Sequence, residues 1–182
     1  VNFNLMAEPP DADSIEYTDM EKAGIQRRRD FLKYGHAYAQ EHATRPSTIG
    51  LVLSSNPLAL LAWIGEKYGV WTDETPPLEA IIESVSLYWL AESYPTSIYH
   101  YRERFASEDH GAHDSDANYI KIPLGYSFFP KEVAPIPKAW VEKTGNLVWY
   151  KGHTKGGHFA AMEQPELLLE DVESFVKEVW KE

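Results

Sequence analysis

Residues 146–165, Asn-Leu-Val-Trp-Tyr-Lys-Gly-His-Thr-Lys-Gly-Gly-His-Phe-Ala-Ala-Met-Glu-Gln-Pro, constrain this chain more than any other stretch. The apolar run that begins at Asn146 reads as a buried strand, and a polar turn holding Gly156 and Gly157 follows. His158 comes next, and Gln164-Pro165 opens a helix. Glycine admits positive φ and close backbone approach, so the turn can aim His158 without steric cost. Proline at the first helical position loses no hydrogen bond, because that N–H has no intrahelical acceptor. A histidine just past a strand end is well placed for a general base, since its pKa straddles neutral pH and the turn leaves it reachable. His153 competes for the same part, and a lone histidine beside glycines also fits a purely structural place. The i, i+5 spacing of the two does not suit a pair of metal ligands on one helix face.

Upstream, the chain reads as helix over residues 18–106. Thr18 or Asp19 caps a helix running from about Glu21 to His42, in which Arg27-Arg28-Arg29 is expected on a solvated face. Residues 47–55 are small, apolar and without clear period. Asn56-Pro57 starts a helix that is apolar nearly all round, and is therefore expected to be buried. Residues 78–94 form another helix, broken at Pro95, and Thr96 or Ser97 caps a shorter one over residues 98–105. Residues 107–118 form a polar loop whose Glu108, Asp109, His110, His113, Asp114 and Asp116 lack metal-ligand spacing, so no metal site is expected there.

At Tyr119 the character changes. Residues 119–126 read as a strand, Ser127-Phe128-Phe129-Pro130-Lys131-Glu132-Val133 as a turn, and residues 137–141 as a short helix ended by Gly145. The last helix is expected to bury Leu168, Val172, Phe175, Val176 and Val179, which recur at 3.6-residue spacing. Strand, helix, strand, helix implies a parallel sheet covered by helices. Glu132 and His158 then fall on turns at neighbouring strand ends, the edge where open α/β sheets place their sites.

Composition removes other classes. With 182 residues, 43% of them apolar, one sizeable core is within reach. A formal net charge of −11 argues against nucleic acid and anionic membrane as partners. No apolar run approaches the ~18–20 residues of a membrane span. The absence of cysteine excludes disulfide and thiolate chemistry and fits a reducing, cytoplasmic setting, and no signal peptide is visible. Val1-Asn2-Phe3-Asn4-Leu5-Met6 reads as a strand entered midway, from which a longer parent polypeptide is expected.

An acid after one strand and a histidine after the next is the acid–base half of an α/β-hydrolase triad. The wording carries the likeness further. Gly156-Gly157-His158-Phe159-Ala160-Ala161-Met162-Glu163, Gly125-Tyr126-Ser127-Phe128-Phe129-Pro130-Lys131-Glu132, Tyr38-Ala39-Gln40-Glu41-His42-Ala43-Thr44-Arg45-Pro46 and Ser86-Leu87-Tyr88-Trp89 resemble the epoxide hydrolases of the microsomal type, their soluble fungal members above all. The resemblance spans essentially the whole chain. It implies the C-terminal part of an α/β-hydrolase core with an inserted all-helical lid. Residues 1–17 would be a core strand and its exit, 18–106 the lid, 107–118 the polar loop and 119–182 the last part of the core.

By the same resemblance, His158 activates the hydrolytic water and Glu132 orients it, while Tyr38 and Tyr101 donate hydrogen bonds to the epoxide oxygen. Tyr99 is the alternative to Tyr101. Trp63, Trp71, Tyr88, Trp89, Phe105 and Phe128 are candidate walls of an apolar substrate pocket, although core packing explains such aromatics equally well. No cofactor is implied. The partners implied are a small epoxide, water and the N-terminal half of the same enzyme, together with a homodimer formed through the lid. No Gly-x-[Ser/Asp/Cys]-x-Gly elbow and no His-Gly-x-Pro turn occurs in the chain, so the nucleophilic aspartate of the family is expected outside it and residues 1–182 alone are expected to be inactive. An esterase or dehalogenase chemistry and a non-catalytic homologue are the alternative readings.

Overall fold

The structure, a computed structural model, describes residues 8–106 and 119–180. The strand expected at residues 1–6, the polar loop at 107–118 and the side chain of Phe105 lie outside the described residues. In chain order the helices are α1 (Asp19–Asp30), α2 (Ala37–Thr44), α3 (Pro46–Ser54), α4 (Pro57–Val70), α5 (Leu78–Leu90), α6 (Tyr94–Ser97), α7 (His100–Ala106), α8 (Lys138–Val141), α9 (Ala160–Glu163) and α10 (Pro165–Val179). The strands are β1 (Ile120–Phe128) and β2 (Gly145–Gly152). They fall into two compact units: one of residues 8–31, 71–74 and 119–180, the other of 32–70 and 75–106. No described helix is long and apolar enough to cross a membrane by itself.

In the first unit β1 and β2 pair in parallel, joined by the segment that carries α8. The register slips between Ile120 and Pro123, where proline has no N–H to give the ladder, and again between Leu124 and Gly125. Gly125 is needed there, because a Cβ would stand 2.8 Å from the Phe175 ring of α10. Thr18 caps α1 through a capping box: its hydroxyl accepts from the Glu21 N–H (3.2 Å) and the Glu21 carboxylate accepts from the Thr18 N–H (3.0 Å). Phe128, Ile136, Trp140 and Val141 have no exposed surface and form the core with Leu124, Tyr126 and Ile25. Burying each such side chain is worth about 1.5–3 kcal/mol.

The second unit holds α2 to α7 around Leu53, Leu60, Ile81, Val85, Tyr94 and Ile98. A Cβ at Gly50 would meet Pro95 at 3.2 Å, so α3 and α6 approach through the glycine.

Five expectations change. The helix expected from Glu21 to His42 is α1 and α2, separated by a π-helical turn over Phe31–Gly35 that ends on the poor helix former Gly35. Residues 47–55 are helical, started by Pro46 in the first turn of α3. In α4 only Leu60 is buried, while Leu58 and Val70 are exposed, so its all-round apolar surface is packed on one side among the described residues. In α10 the buried residue is Asp171, whereas Val172 and Val176 are about half exposed. The arginine run is not simply solvated either. Arg28 is buried with its guanidinium 5.7 Å from the centre of the Trp140 ring, and Arg27 binds backbone described below.

Candidate active site

The site is assembled from the two turns that follow the parallel strands. The Lys131 N–H donates to the Gly156 carbonyl (3.0 Å), and Lys131 and Gly157 form an isolated parallel bridge, so the sheet's pairing extends into both turns. Arg27 on α1 grips the first turn, its Nε donating to the Glu132 carbonyl (2.8 Å) and its Nη2 to that of Lys131 (3.0 Å). Glu132 is buried. Its Oε1 accepts from the Val133 N–H (2.6 Å) and lies 2.7 Å from His158 Nδ1. An ionised carboxylate only accepts, so Nδ1 of the imidazole is the donor and Nε2 is left as the basic nitrogen. This is the orientation a water-activating histidine requires.

His158 is about a quarter exposed and opens on a hollow of about 500 Å³ lined also by Ser127, Phe159, Ala160, Ala161, Met162 and Leu168. Its N–H donates to the Trp71 carbonyl (2.8 Å), and the Trp71 ring meets the imidazole edge-on at 5.1 Å. Trp71, one of the aromatics read as a pocket wall, is therefore packed against the histidine itself. Gly156 has φ +98°, the left-handed region, where a Cβ would also stand 2.7 Å from Phe129.

The tyrosines belong to the second unit. Tyr38 and Tyr101 meet edge to face at 6.0 Å, and both pack on His42, at 5.5 and 4.9 Å. Tyr99 turns elsewhere, its hydroxyl 3.0 Å from that of Ser47, so Tyr101 is the residue the structure pairs with Tyr38. Lys67 lies over the rings of Tyr38 (5.0 Å) and Trp63 (5.2 Å). Trp63 donates to His42 Nε2 (3.1 Å), and Tyr88 meets Tyr94 edge-on at 5.9 Å. Trp89 lines a separate apolar hollow of about 330 Å³ with Pro57, Leu58, Leu61, Ile82 and Val85. Phe128 requires correction as a substrate-facing residue. It is wholly buried in the first unit's core, where its ring meets Gly24.

Sequence reasoning missed a second imidazole–carboxylate pair. His153 Nε2 lies 2.6 Å from Asp171 Oδ2, which also accepts from the Ser127 hydroxyl (2.7 Å), while Lys151 approaches Asp171 Oδ1 at 3.2 Å. His153 stacks on Phe129 at 4.7 Å, and its N–H donates to the Phe128 carbonyl (2.9 Å). The pair is buried and ties α10 to the ends of both strands. His153 is thus a structural histidine and His158 the accessible one. Arg27 and Asp171 left no signal in the sequence, since an arginine run and an acid on a helix usually face solvent.

No family model matches the chain. A Dothistroma septosporum protein named as an epoxide hydrolase is 48% identical over 179 residues, covering 96% of this chain and 41% of that protein. Rabbit (Oryctolagus cuniculus) epoxide hydrolase 1 is 32% identical over 152 residues, covering 76% of the chain and 33% of the relative. The structure of Aspergillus niger epoxide hydrolase superposes with a TM-score of 0.88 at 49% identity, covering 98% of this chain and 45% of that one. Juvenile hormone epoxide hydrolase from the silkworm Bombyx mori gives 0.76 at 27% identity. The chain spans about two fifths of the length of the fungal relatives it matches. By sequence and by fold it is a homologue of the epoxide hydrolases, with the α/β-hydrolase architecture of their C-terminal part and its helical lid.

Proposed function

We propose that the enzyme carrying this chain opens epoxides to vicinal diols. The observation that carries this reading is the 2.7 Å contact between His158 Nδ1 and the buried Glu132 carboxylate, in a turn whose relatives are named epoxide hydrolases. A carboxylate nucleophile, contributed from outside residues 1–182, attacks one epoxide carbon. That C–O bond breaks, and the departing oxygen takes hydrogen bonds, then a proton, from the phenols of Tyr38 and Tyr101. The ester left behind is split by water. His158 Nε2 takes the water's proton, and the hydroxide adds to the ester carbonyl. The ester C–O bond breaks with the departing diol oxygen taking the proton back from the imidazolium, and the carboxylic acid so formed gives its proton to the tyrosinate, restoring carboxylate and phenol. Glu132 stabilises the imidazolium and holds the tautomer. The aromatics around Tyr38, His42 and Trp63 support an apolar epoxide as substrate. A cytoplasmic location and a homodimer belong to the same proposal.

The test places residues 1–182 behind the N-terminal portion of the Aspergillus niger enzyme and follows diol release from a terminal aryl epoxide. His158→Gln is expected to stop at the ester, visible as one epoxide mass added to the intact protein. A His158→Gln enzyme that turns over at the parental rate, or a parental enzyme that hydrolyses simple esters but not epoxides, would sink the reading.

A further inference from the structure

Residues 71–74 lie in sequence between α4 and α5, yet in the structure they belong with the histidine turn. The contacts are backbone-directed and dense. The Trp71 carbonyl accepts from His158 N–H at 2.8 Å, and the Asp73 carboxylate accepts from Gly156 N–H at 3.0 Å. Glu163, from the short helix after the histidine, closes the circuit. Its Oε2 accepts from the Asp73 N–H (2.6 Å) and the Glu74 N–H (3.3 Å), and its Oε1 from the Phe159 N–H (3.1 Å). The Trp71 ring stacks on Phe159 at 6.4 Å and is met edge-on by Phe31 at 6.0 Å. A Cβ on Gly157 would stand 2.6 Å from the Trp71 carbonyl and 3.0 Å from the Asp73 nitrogen. So close an approach presses residues 71–73 directly against the histidine turn.

We propose that Glu163, with Trp71 and Asp73, forms a clasp that positions His158 for attack of water on the ester. The inference rests on His158 being the base. Glu132 fixes one ring nitrogen, and the clasp fixes the backbone from which the ring hangs. Reaction at the ester depends on where the base sits, about 1 Å of misplacement costing about 100-fold, whereas ester formation does not use it. Loss of the clasp should therefore slow the second step and spare the first.

Hydrogen-bond arithmetic separates the clasp from mere packing. Both oxygens of Glu163 accept from N–H groups, so an amide at this position sets its NH₂ against a donor and cannot substitute. Asp73 uses one oxygen on Gly156, so an amide there can still present its carbonyl. The experiment is single-turnover kinetics in the whole enzyme carrying this chain, measuring ester formation and ester hydrolysis separately across pH for Glu163→Gln, Glu163→Ala, Asp73→Ala and Asp73→Asn, with His158→Gln alongside. Glu163→Gln, Glu163→Ala and Asp73→Ala should slow hydrolysis by about 10- to 100-fold while ester formation changes less than about 3-fold. Asp73→Asn should restore most of the hydrolysis rate. Should the Glu163 variants not fold, the Asp73 pair carries the same contrast. Equal loss in both steps, or no loss in either, overturns the clasp when His158→Gln stalls at the ester. Normal hydrolysis by His158→Gln instead overturns the base assignment.

Discussion

The indole N–H of Trp63 points at Nε2 of His42 across 3.1 Å. An indole can only donate, so Nε2 must keep its lone pair, and the neutral ring carries its proton on Nδ1. The Tyr94 hydroxyl lies 3.1 Å from the same nitrogen and shares its single lone pair with the indole N–H. Nδ1 is buried without a hydrogen-bond partner among the described residues. Burial first, then the positive charges of Lys67 and His100, bring the His42 pKa down to about 4. The ring that supports Tyr38 and Tyr101 is thus neutral at neutral pH.

A pH effect on stability follows from that depressed value. Unfolded, His42 titrates near 6.5; folded, near 4. The unfolded chain binds the extra proton between these values, so stability is full above about 6.5, falls as the pH drops towards 4, and levels below it. The fall is roughly 3 kcal/mol at most. Urea unfolding at pH 7.5 and 4.5 should show it, and His42→Gln, which does not titrate, should flatten this part of the profile. A His42 ring resonance with a midpoint above 6 would contradict the depressed value.

At Asp171 the sign is opposite. Burial alone would push its pKa up, but hydrogen bonds from Ser127, His153 and Lys151 outweigh burial and hold it below the usual carboxylate range. Its contribution is present above the unfolded value near 4 and is lost as pH falls through the lower folded value. Asp171→Asn leaves an NH₂ among donors and should cost about 3–5 kcal/mol, read as a lower urea midpoint. An unchanged midpoint would mean that the His153–Asp171 pair does not tie α10 to the strands.

Gly157→Ala tests the close approach directly. The new methyl meets the Trp71 carbonyl and the Asp73 nitrogen, both backbone, so neither can swing aside as a side chain could. A loss of about 1–3 kcal/mol is expected in urea unfolding, with a fall in diol formation larger than the stability loss explains. Parental stability and activity would show that residues 71–74 do not press on the turn.

How much of this was legible beforehand depended on range. The parallel pairing, the helix starts at Pro57 and Pro165 and the Glu132–His158 meeting follow from local signals: periodicity, proline, and acid and base on successive turns. The family likeness pointed to Tyr38 and Tyr101, and the packing of both on His42 adds a neutral support no motif discloses. Arg27, Asp73, Glu163 and Asp171 were illegible because each acts on backbone or on a residue distant in sequence. An acid bound for a far N–H reads like any solvated acid. Phe128 misled for the opposite reason: it shares a motif with Glu132, but strand alternation turns it into the core.

The last prediction concerns what Glu132 contributes beyond orientation. Its Oε1 is shared by His158 Nδ1 (2.7 Å) and the Val133 N–H (2.6 Å), and both need an acceptor. In Glu132→Gln the Val133 N–H will draw the amide carbonyl into that place, so the His158 tautomer is kept and only the charge is lost. Hydrogen bonds to a charged group are worth about 1.5–3 kcal/mol, so ester hydrolysis should slow by about 10- to 100-fold. Glu132→Ala removes the acceptor as well, frees the ring to rotate, and should slow it further. Single-turnover rates for the two variants decide the matter. If Gln is as damaging as Ala, orientation does not outlast the charge; if Gln matches the parent, the carboxylate serves only to aim the ring.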